Sequence, residues 1–316
     1  MKKVTLVFPG QGSQYVGMGK NGEGDESFQL YEKANEVLGY SLSKLCFEGP
    51  EDDLKLTQNA QPAIVTHSTA LFRKVKKLLD EKGVEVSGVL GHSVGEYSAL
   101  VAAGVLSFED AVKAVHLRGK YMQEAVPVGK GKMVAIMKLP EELVRRACEA
   151  ASEGESRVMP ANFNDPNQIV ISGDAVACDR AVEWLKENTE TRYRAIPLKV
   201  SAPFHSSLME PAADKLKEAF GQFEWSALQT PYIANIDAKE YATSTPVDVI
   251  KENLVKQVAG SVLWTQSIAN LPDDTVCLEV GPGKVLAGLI KKINPNIKTI
   301  SLDQEESWSE LKEILG

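Results

Sequence analysis

The stretch Ser87-Gly88-Val89-Leu90-Gly91-His92-Ser93-Val94-Gly95-Glu96-Tyr97-Ser98-Ala99-Leu100 decides the fold. Ser87 to Gly91 is a short apolar run of the kind a buried strand uses, and Ser93 to Ala103 continues as a helix ended near Gly104. At the bend stands Gly91-His92-Ser93-Val94-Gly95, the Gly-x-Ser-x-Gly pattern of a nucleophile elbow. The flanking glycines let the chain turn sharply, so the hydroxyl projects from the strand end toward the N-terminus of the next helix.

Outward from this bend, the chain reads as an alternation of strands and helices. Lys3 to Phe8 is a second buried strand, stopped by Pro9-Gly10 and followed by a loop carrying Gln11. Apolar residues recur at helical spacing from Pro62 to about Leu79, with Pro62 expected in the first turn, where its missing N–H costs nothing. Ser107 can cap a helix running to about Ala125 that carries Arg118. Between Lys132 and Leu198 the order becomes strand (132–138), helix (141–151), strand (157–162), strand (168–172), helix (175–188), strand (192–198), the βαββαβ order of a ferredoxin-like module. Further helices are expected at about 208–220, 247–258 and 265–270, with strands near 232–236 and 275–280. The expected fold class is therefore α/β: a large α/β-hydrolase-like parallel-sheet subdomain, residues 1–128 and 199–316, with an inserted ferredoxin-like subdomain at 129–198.

The composition of these 316 residues is that of an ordinary globular chain, 43% hydrophobic and 25% charged. A net charge of -8 argues against broad nucleic-acid binding, which needs a basic face. Cys46, Cys148, Cys178 and Cys277 form no Cys-x-x-Cys pair, so reduced, buried thiols are expected rather than a disulfide framework or zinc site. The apolar run after Met1-Lys2-Lys3 ends after five residues, too short for a signal peptide, and no stretch approaches the roughly 20 apolar residues of a membrane helix. A cytoplasmic chain is expected.

A serine hydroxyl needs a base within hydrogen-bond reach to become a nucleophile. Of the four histidines, His67 and His116 fall inside expected helices, and His92 adjoins Ser93 on a turn that points the two side chains apart. His205, in the loop-like segment Ser201-Ala202-Pro203-Phe204-His205-Ser206, is the expected base. No acidic residue stands out as its orienting partner, so a backbone carbonyl or an amide could fill that place. The backbone N–H of Val94 is the expected first oxyanion donor, and Gln11 a candidate for the second.

Five blocks in order, Phe8-Pro9-Gly10-Gln11-Gly12-Ser13-Gln14, Gly91-His92-Ser93-Val94-Gly95-Glu96, Leu117-Arg118-Gly119, Ser201-Ala202-Pro203-Phe204-His205-Ser206 and Glu279-Val280-Gly281-Pro282-Gly283, run along nearly the whole chain. Together they resemble the malonyl-coenzyme A:acyl carrier protein transacylases and the acyltransferase domains of polyketide synthases. The resemblance implies Ser93 as nucleophile, His205 as its partner, Gln11 and Val94 as oxyanion donors, and Arg118 as the group that pairs with the malonyl carboxylate. It also implies Gln257 as the residue whose backbone carbonyl orients the histidine, and Asn162 as a residue lining the site. Ser261 stands where the family usually has proline. Phe204 beside His205 resembles the malonyl-selecting form of polyketide acyltransferases. Arg118 has a physical reason of its own: a guanidinium offers a two-pronged fork to a carboxylate and stays charged.

The resemblance implies transfer of malonyl from malonyl-CoA, through a seryl ester, to the phosphopantetheine thiol of an acyl carrier protein in fatty acid biosynthesis, with coenzyme A as product. No bound cofactor and no metal are expected: Gly281-Pro282-Gly283-Lys284 and Gly10-Gln11-Gly12 both lack the remaining residues of a phosphate loop. Carrier proteins are typically acidic, so docking calls for a basic patch, with Lys74, Lys76 and Lys77, Lys130 and Lys132, Arg192 and Arg194, or Lys291 and Lys292 as candidates. The rival readings are a serine thioesterase or lipase-like hydrolase, a non-catalytic carrier-binding scaffold, and a stand-alone acyltransferase of a polyketide assembly line.

Overall fold

The structure is a computed structural model that describes residues 3–22, 29–127 and 129–316; Met1 and Lys2, where the N-terminal reading begins, and Val128, the expected segment end, lie outside the described residues. In chain order the elements are β1 (Lys3–Phe8), α1 (Gln29–Leu38), α2 (Leu42–Glu48), α3 (Glu51–Lys55), α4 (Thr57–Glu81), β2 (Glu85–Gly91), α5 (Gly95–Ala102) and α6 (Phe108–Glu124). There follow β3 (Gly131–Met137), α7 (Glu141–Ala151), β4 (Val158–Asp165), β5 (Gln168–Asp174), α8 (Ala175–Asn188) and β6 (Arg194–Pro197). The chain closes with α9 (Glu210–Ala219), β7 (Tyr232–Ile233), β8 (Glu240–Tyr241), α10 (Val247–Ala259), α11 (Trp264–Ala269), β9 (Val276–Glu279), α12 (Val285–Ile293), β10 (Lys298–Ser301) and α13 (Glu305–Leu315).

Six strands form one sheet in the order β10-β9-β1-β2-β7-β8, parallel except for the β7–β8 pair. Alternating residues of β1 feed two cores, as the period of two requires. Leu6 and Phe8 pack with residues of α4, α5 and α6, whereas Val7 joins Leu90, Trp264 and Leu286 under α11 and α12. Burial on both faces explains why these strands read as unbroken apolar runs.

The second sheet, β4-β5-β3-β6, is antiparallel throughout. Helices α7 and α8 cover one face around Val134, Ile136, Val144 and Cys178, while Met133, Ala135 and Val170 on the other face pack with the main core. That strand order is the one a ferredoxin-like βαββαβ module adopts. A seam ties the module to the large sheet's elements. Val262 N–H donates to the Ala161 carbonyl at 2.8 Å, Phe163 N–H to Val262 O at 2.9 Å, and Ser261 Oγ to Pro160 O at 2.7 Å.

Several expectations require correction. Helix α4 begins at Thr57, which puts Pro62 inside the helix rather than in its first turn. The missing N–H of Pro62 frees the carbonyl of Gln58, and His116 Nδ1 lies 3.0 Å from that oxygen, donating in its place. The helix expected at 208–220 is a 3-10 turn followed by α9 and a second 3-10 turn, and the strand expected at 232–236 is only Tyr232–Ile233. Helices α1 to α3, the C-terminal α12, β10 and α13, and the short β8 had no counterpart in the sequence reading. Ser107 does cap α6, its hydroxyl accepting from Asp110 N–H at 3.0 Å.

All four cysteines are buried and free, with burial raising each thiol to about 12, which makes them inert packing residues. The Gly281-Pro282-Gly283 block is likewise structural. Glu279 just before it accepts from Leu286 N–H at 2.8 Å and Ala287 N–H at 3.0 Å, capping α12, and a Cβ on Gly281 would lie 2.5 Å from Pro9. Among the described residues no helix is long and apolar enough to cross a membrane.

Candidate active site

The elbow is held by close backbone approaches that only glycine permits. A Cβ on Gly91 would lie 2.1 Å from the carbonyl carbon of Gly95, and one on Gly95 would lie 2.2 Å from Phe8 O. Between them Ser93 takes φ = 51°, the left-handed region that L-residues occupy at a cost. Asn235, just past β7, stabilises that turn: its Oδ1 accepts from Ser93 N–H at 2.7 Å and its Nδ2 donates to Gly91 O at 2.6 Å.

His205 has a positive φ of its own, 57°, and is buried. Its Nε2 lies 2.7 Å from Ser93 Oγ and its Nδ1 2.8 Å from the backbone oxygen of Gln257. A carbonyl can only accept, so Nδ1 carries the hydrogen and the Nε2 lone pair faces the serine hydroxyl, the tautomer a general base needs. Burial, reinforced by the nearby Arg118 charge, pushes the His205 pKa down to about 3, so the imidazole is neutral at any working pH. The orienting partner is thus a backbone carbonyl rather than a carboxylate.

Arg118 on α6 is 1% exposed, and burial pulls its pKa down from the ordinary arginine value. One terminal nitrogen donates to Gln61 Oε1 at 2.8 Å; the other donates to Gln257 Oε1 at 2.9 Å and to Ser93 Oγ at 3.2 Å. Two glutamines therefore fix the plane of a cation beside the nucleophile. Behind them Glu96, fully buried, accepts from Gln257 Nε2 at 2.7 Å and from Asn235 N–H at 3.2 Å. Burial lifts Glu96 to about 7, against the lowering effect of those two bonds and of Arg118.

Ser93, His205 and Arg118 open onto a cleft of about 460 Å3 between the two sheets' subdomains. Gln11 and Phe204 line it from the large subdomain, Asn162, Met133 and Val170 from the small one. The backbone N–H groups of Val94 and Gln11 make no hydrogen bond among the described residues, so both are free to donate. All eight site residues drawn from the sequence, Gln11, Ser93, Val94, Arg118, Asn162, Phe204, His205 and Gln257, meet at or directly behind this cleft. His92 also lines it, its Nε2 2.8 Å from Asn164 Oδ1, an orienting contact across the seam. His67 lies elsewhere, between Tyr31 OH at 2.7 Å and Asp303 at 2.8 Å.

Sequence reasoning assigned no role to Gln61, Glu96 or Asn235. Glu96 carried a signal, an acid in the first turn after the elbow with no solvent-facing reason to be there; Gln61 and Asn235 carried none. None of the candidate basic patches lines the cleft, and Lys132 and Lys292 are engaged by Asp179 and Asp165. Lys55 and Lys199 do line its mouth. Among the described residues no group of three or more His, Cys, Asp or Glu side chains is placed to hold a metal ion.

Residues 5–300 match the family described as acyl transferase domain. A malonyl CoA-acyl carrier protein transacylase of Bacillus subtilis is 45% identical over 311 residues, 97% of this chain and 95% of its own. A crystal structure of malonyl-CoA:acyl carrier protein transacylase from Xanthomonas oryzae superposes with a TM-score of 0.92 at 38% identity, covering 99% of this chain and 98% of that one. A malonyl-transacylase solved in complex with its type II polyketide acyl carrier protein superposes with a TM-score of 0.90 at 39% identity, covering 99% and 100%.

Proposed function

The chain belongs to the acyl transferase domain family, and from that premise we propose that it moves a malonyl group from malonyl-CoA to the phosphopantetheine thiol of an acyl carrier protein through an ester on Ser93. The observation that carries this reading is the buried Arg118 guanidinium 3.2 Å from Ser93 Oγ. A hydrolase of neutral esters has no use for a cation there, whereas a malonyl thioester brings a carboxylate to that distance from its reacting carbonyl.

His205 Nε2 accepts the Ser93 proton as Oγ attacks the thioester carbonyl, and the oxyanion lies against the Val94 and Gln11 N–H groups. The tetrahedral intermediate collapses with loss of the coenzyme A sulfur, which takes the proton back from His205. In the second half the carrier thiol gives its proton to His205 and attacks the ester, and Ser93 Oγ leaves reprotonated. Both ends of the exchange are thioesters, so the equilibrium is near balance and the demand on the site is to exclude water. The low pKa of His205 suits it to passing a proton on rather than keeping it.

The carrier is that of fatty acid biosynthesis, and the setting is the cytoplasm, where buried reduced thiols persist. The structural likeness to a transacylase bound to a polyketide carrier supports a second reading, service to a polyketide assembly line. One assay tests the reading against both hydrolase and polyketide rivals. Purified chain, malonyl-CoA and either carrier type are combined, and malonyl-carrier is measured against free malonate. Predominant free malonate overturns the transferase reading; preference for the polyketide carrier selects the second.

A further inference from the structure

The geometry points to Glu96 as a positioning residue that sets malonyl selectivity through the side chain of Gln257. The inference deepens the assignment of Arg118 as carboxylate binder and rests on it. Glu96 sits in the first turn of α5, fully buried, one turn behind the nucleophile. Its Oε2 accepts from Gln257 Nε2 at 2.7 Å, and the same Nε2 reaches Ser93 O at 2.9 Å. Two acceptors on one side of the amide leave it a single orientation, with Oε1 facing Arg118 at 2.9 Å. Flipped, the amide would set an oxygen against the carboxylate and an NH2 against the guanidinium, two repulsive contacts.

The amide also keeps the two charges apart. Glu96 and Arg118 sense each other, since each shifts the other's pKa. Yet no direct ion pair joins them, and a carboxylate gripping the fork two-handed would take up the N–H groups that the substrate needs. Gln257, oriented by its bond to Glu96, presents its amide oxygen to the guanidinium as a fixed dipole rather than a full charge, leaving the guanidinium available for a malonyl carboxylate. The Gln257 backbone carbonyl holds His205 independently of all this, so selectivity and nucleophile activation are separable.

The separation defines the experiment, performed on the full chain. Acylation of Ser93 by malonyl-CoA and by acetyl-CoA is followed by intact mass, and the reactivity of the Ser93–His205 pair is read with a neutral sulfonyl fluoride. Glu96→Ala and Gln257→Leu should each lower the malonyl-to-acetyl ratio on the order of 10-fold, the worth of one hydrogen bond to a charged group. KM for malonyl-CoA should rise more than kcat falls, sulfonyl fluoride labelling of Glu96→Ala should persist, and the double variant should be no worse than either single. Glu96→Gln, whose amide oxygen can accept both bonds, should restore the ratio. An unchanged ratio in both single variants, or additive losses in the double, overturns the inference. So does a parallel fall in malonyl and sulfonyl fluoride reactivity that Glu96→Gln fails to rescue. Should Glu96→Ala not fold, Gln257→Leu carries the prediction of a lowered malonyl-to-acetyl ratio by itself. Absence of malonyl label on wild-type Ser93 refutes the reading of the whole site, and the inference with it.

Discussion

Removal of the guanidinium in Arg118→Ala should convert a malonyl-selective enzyme into one that treats malonyl and acetyl donors alike. A two-pronged pair between arginine and carboxylate comprises two charge-assisted hydrogen bonds, each contributing about 1.5–3 kcal/mol. Their loss lowers kcat/KM for malonyl-CoA by roughly 100-fold to 10,000-fold and leaves acetyl-CoA nearly unaffected. Truncation also strips Gln61 Oε1 and Gln257 Oε1 of their donor. Gln61 lines the cleft, but Gln257 is fully buried behind it, so the stability loss should be about 1–3 kcal/mol for each orphaned acceptor. Arg118→Lys keeps the charge but loses the fork, and should fall between the two at about 10-fold below wild type. The assay is acyl transfer to purified carrier from each donor, with thermal melts confirming folded protein. Unchanged selectivity in a folded Arg118→Ala variant would refute the reasoning, because the carboxylate would then be paired elsewhere.

Three further outcomes follow from the geometry. An unfolded histidine titrates near 6.5 and His205 in the fold near 3, so the unfolded chain binds the extra proton and acid weakens the fold through that window. Ser93 acylation should correspondingly show no loss centred on pH 6.5, and Arg118→Ala should move the acid limb upward; a wild-type half-loss at 6.5 contradicts this. Gly95→Ala places a methyl 2.2 Å from Phe8 O and should destabilise by roughly 3 kcal/mol or more in urea titration; near-native stability would show that α5 can shift away from β1. Ser261→Ala removes the 2.7 Å bond to Pro160 O and should lower stability by about 1 kcal/mol with transfer intact; a collapse of activity would mean that the seam controls the site.

The parts legible in the sequence are those set by local chemistry. The elbow glycines, the Ser107 cap and the four-strand, two-helix rhythm of the small module are short-range patterns, and α7 and α8 fall where periodicity puts them. Pro62 was misplaced because the bond it forgoes is replaced from α6 by His116, a partner 54 positions away in sequence number that no local rule anticipates. The strand order β10-β9-β1-β2 was not legible either, since parallel pairs join segments remote in the chain. At the site, Ser93, Arg118 and His205 stand in recognisable blocks. Those that hold them do not: Asn235 and Gln61 act through side-chain bonds to elements far off, and Glu96 reveals its task only when Gln257 is brought beside it.

The account stands or falls on a covalent acyl group at one position. The chain is mixed with malonyl-CoA without carrier, quenched in acid and digested, and the acylated peptide is located by mass spectrometry. An ester on Ser93, discharged when carrier thiol is added and missing from Ser93→Ala, is the predicted result. Turnover with no acyl-enzyme, or a label that survives in Ser93→Ala, contradicts it.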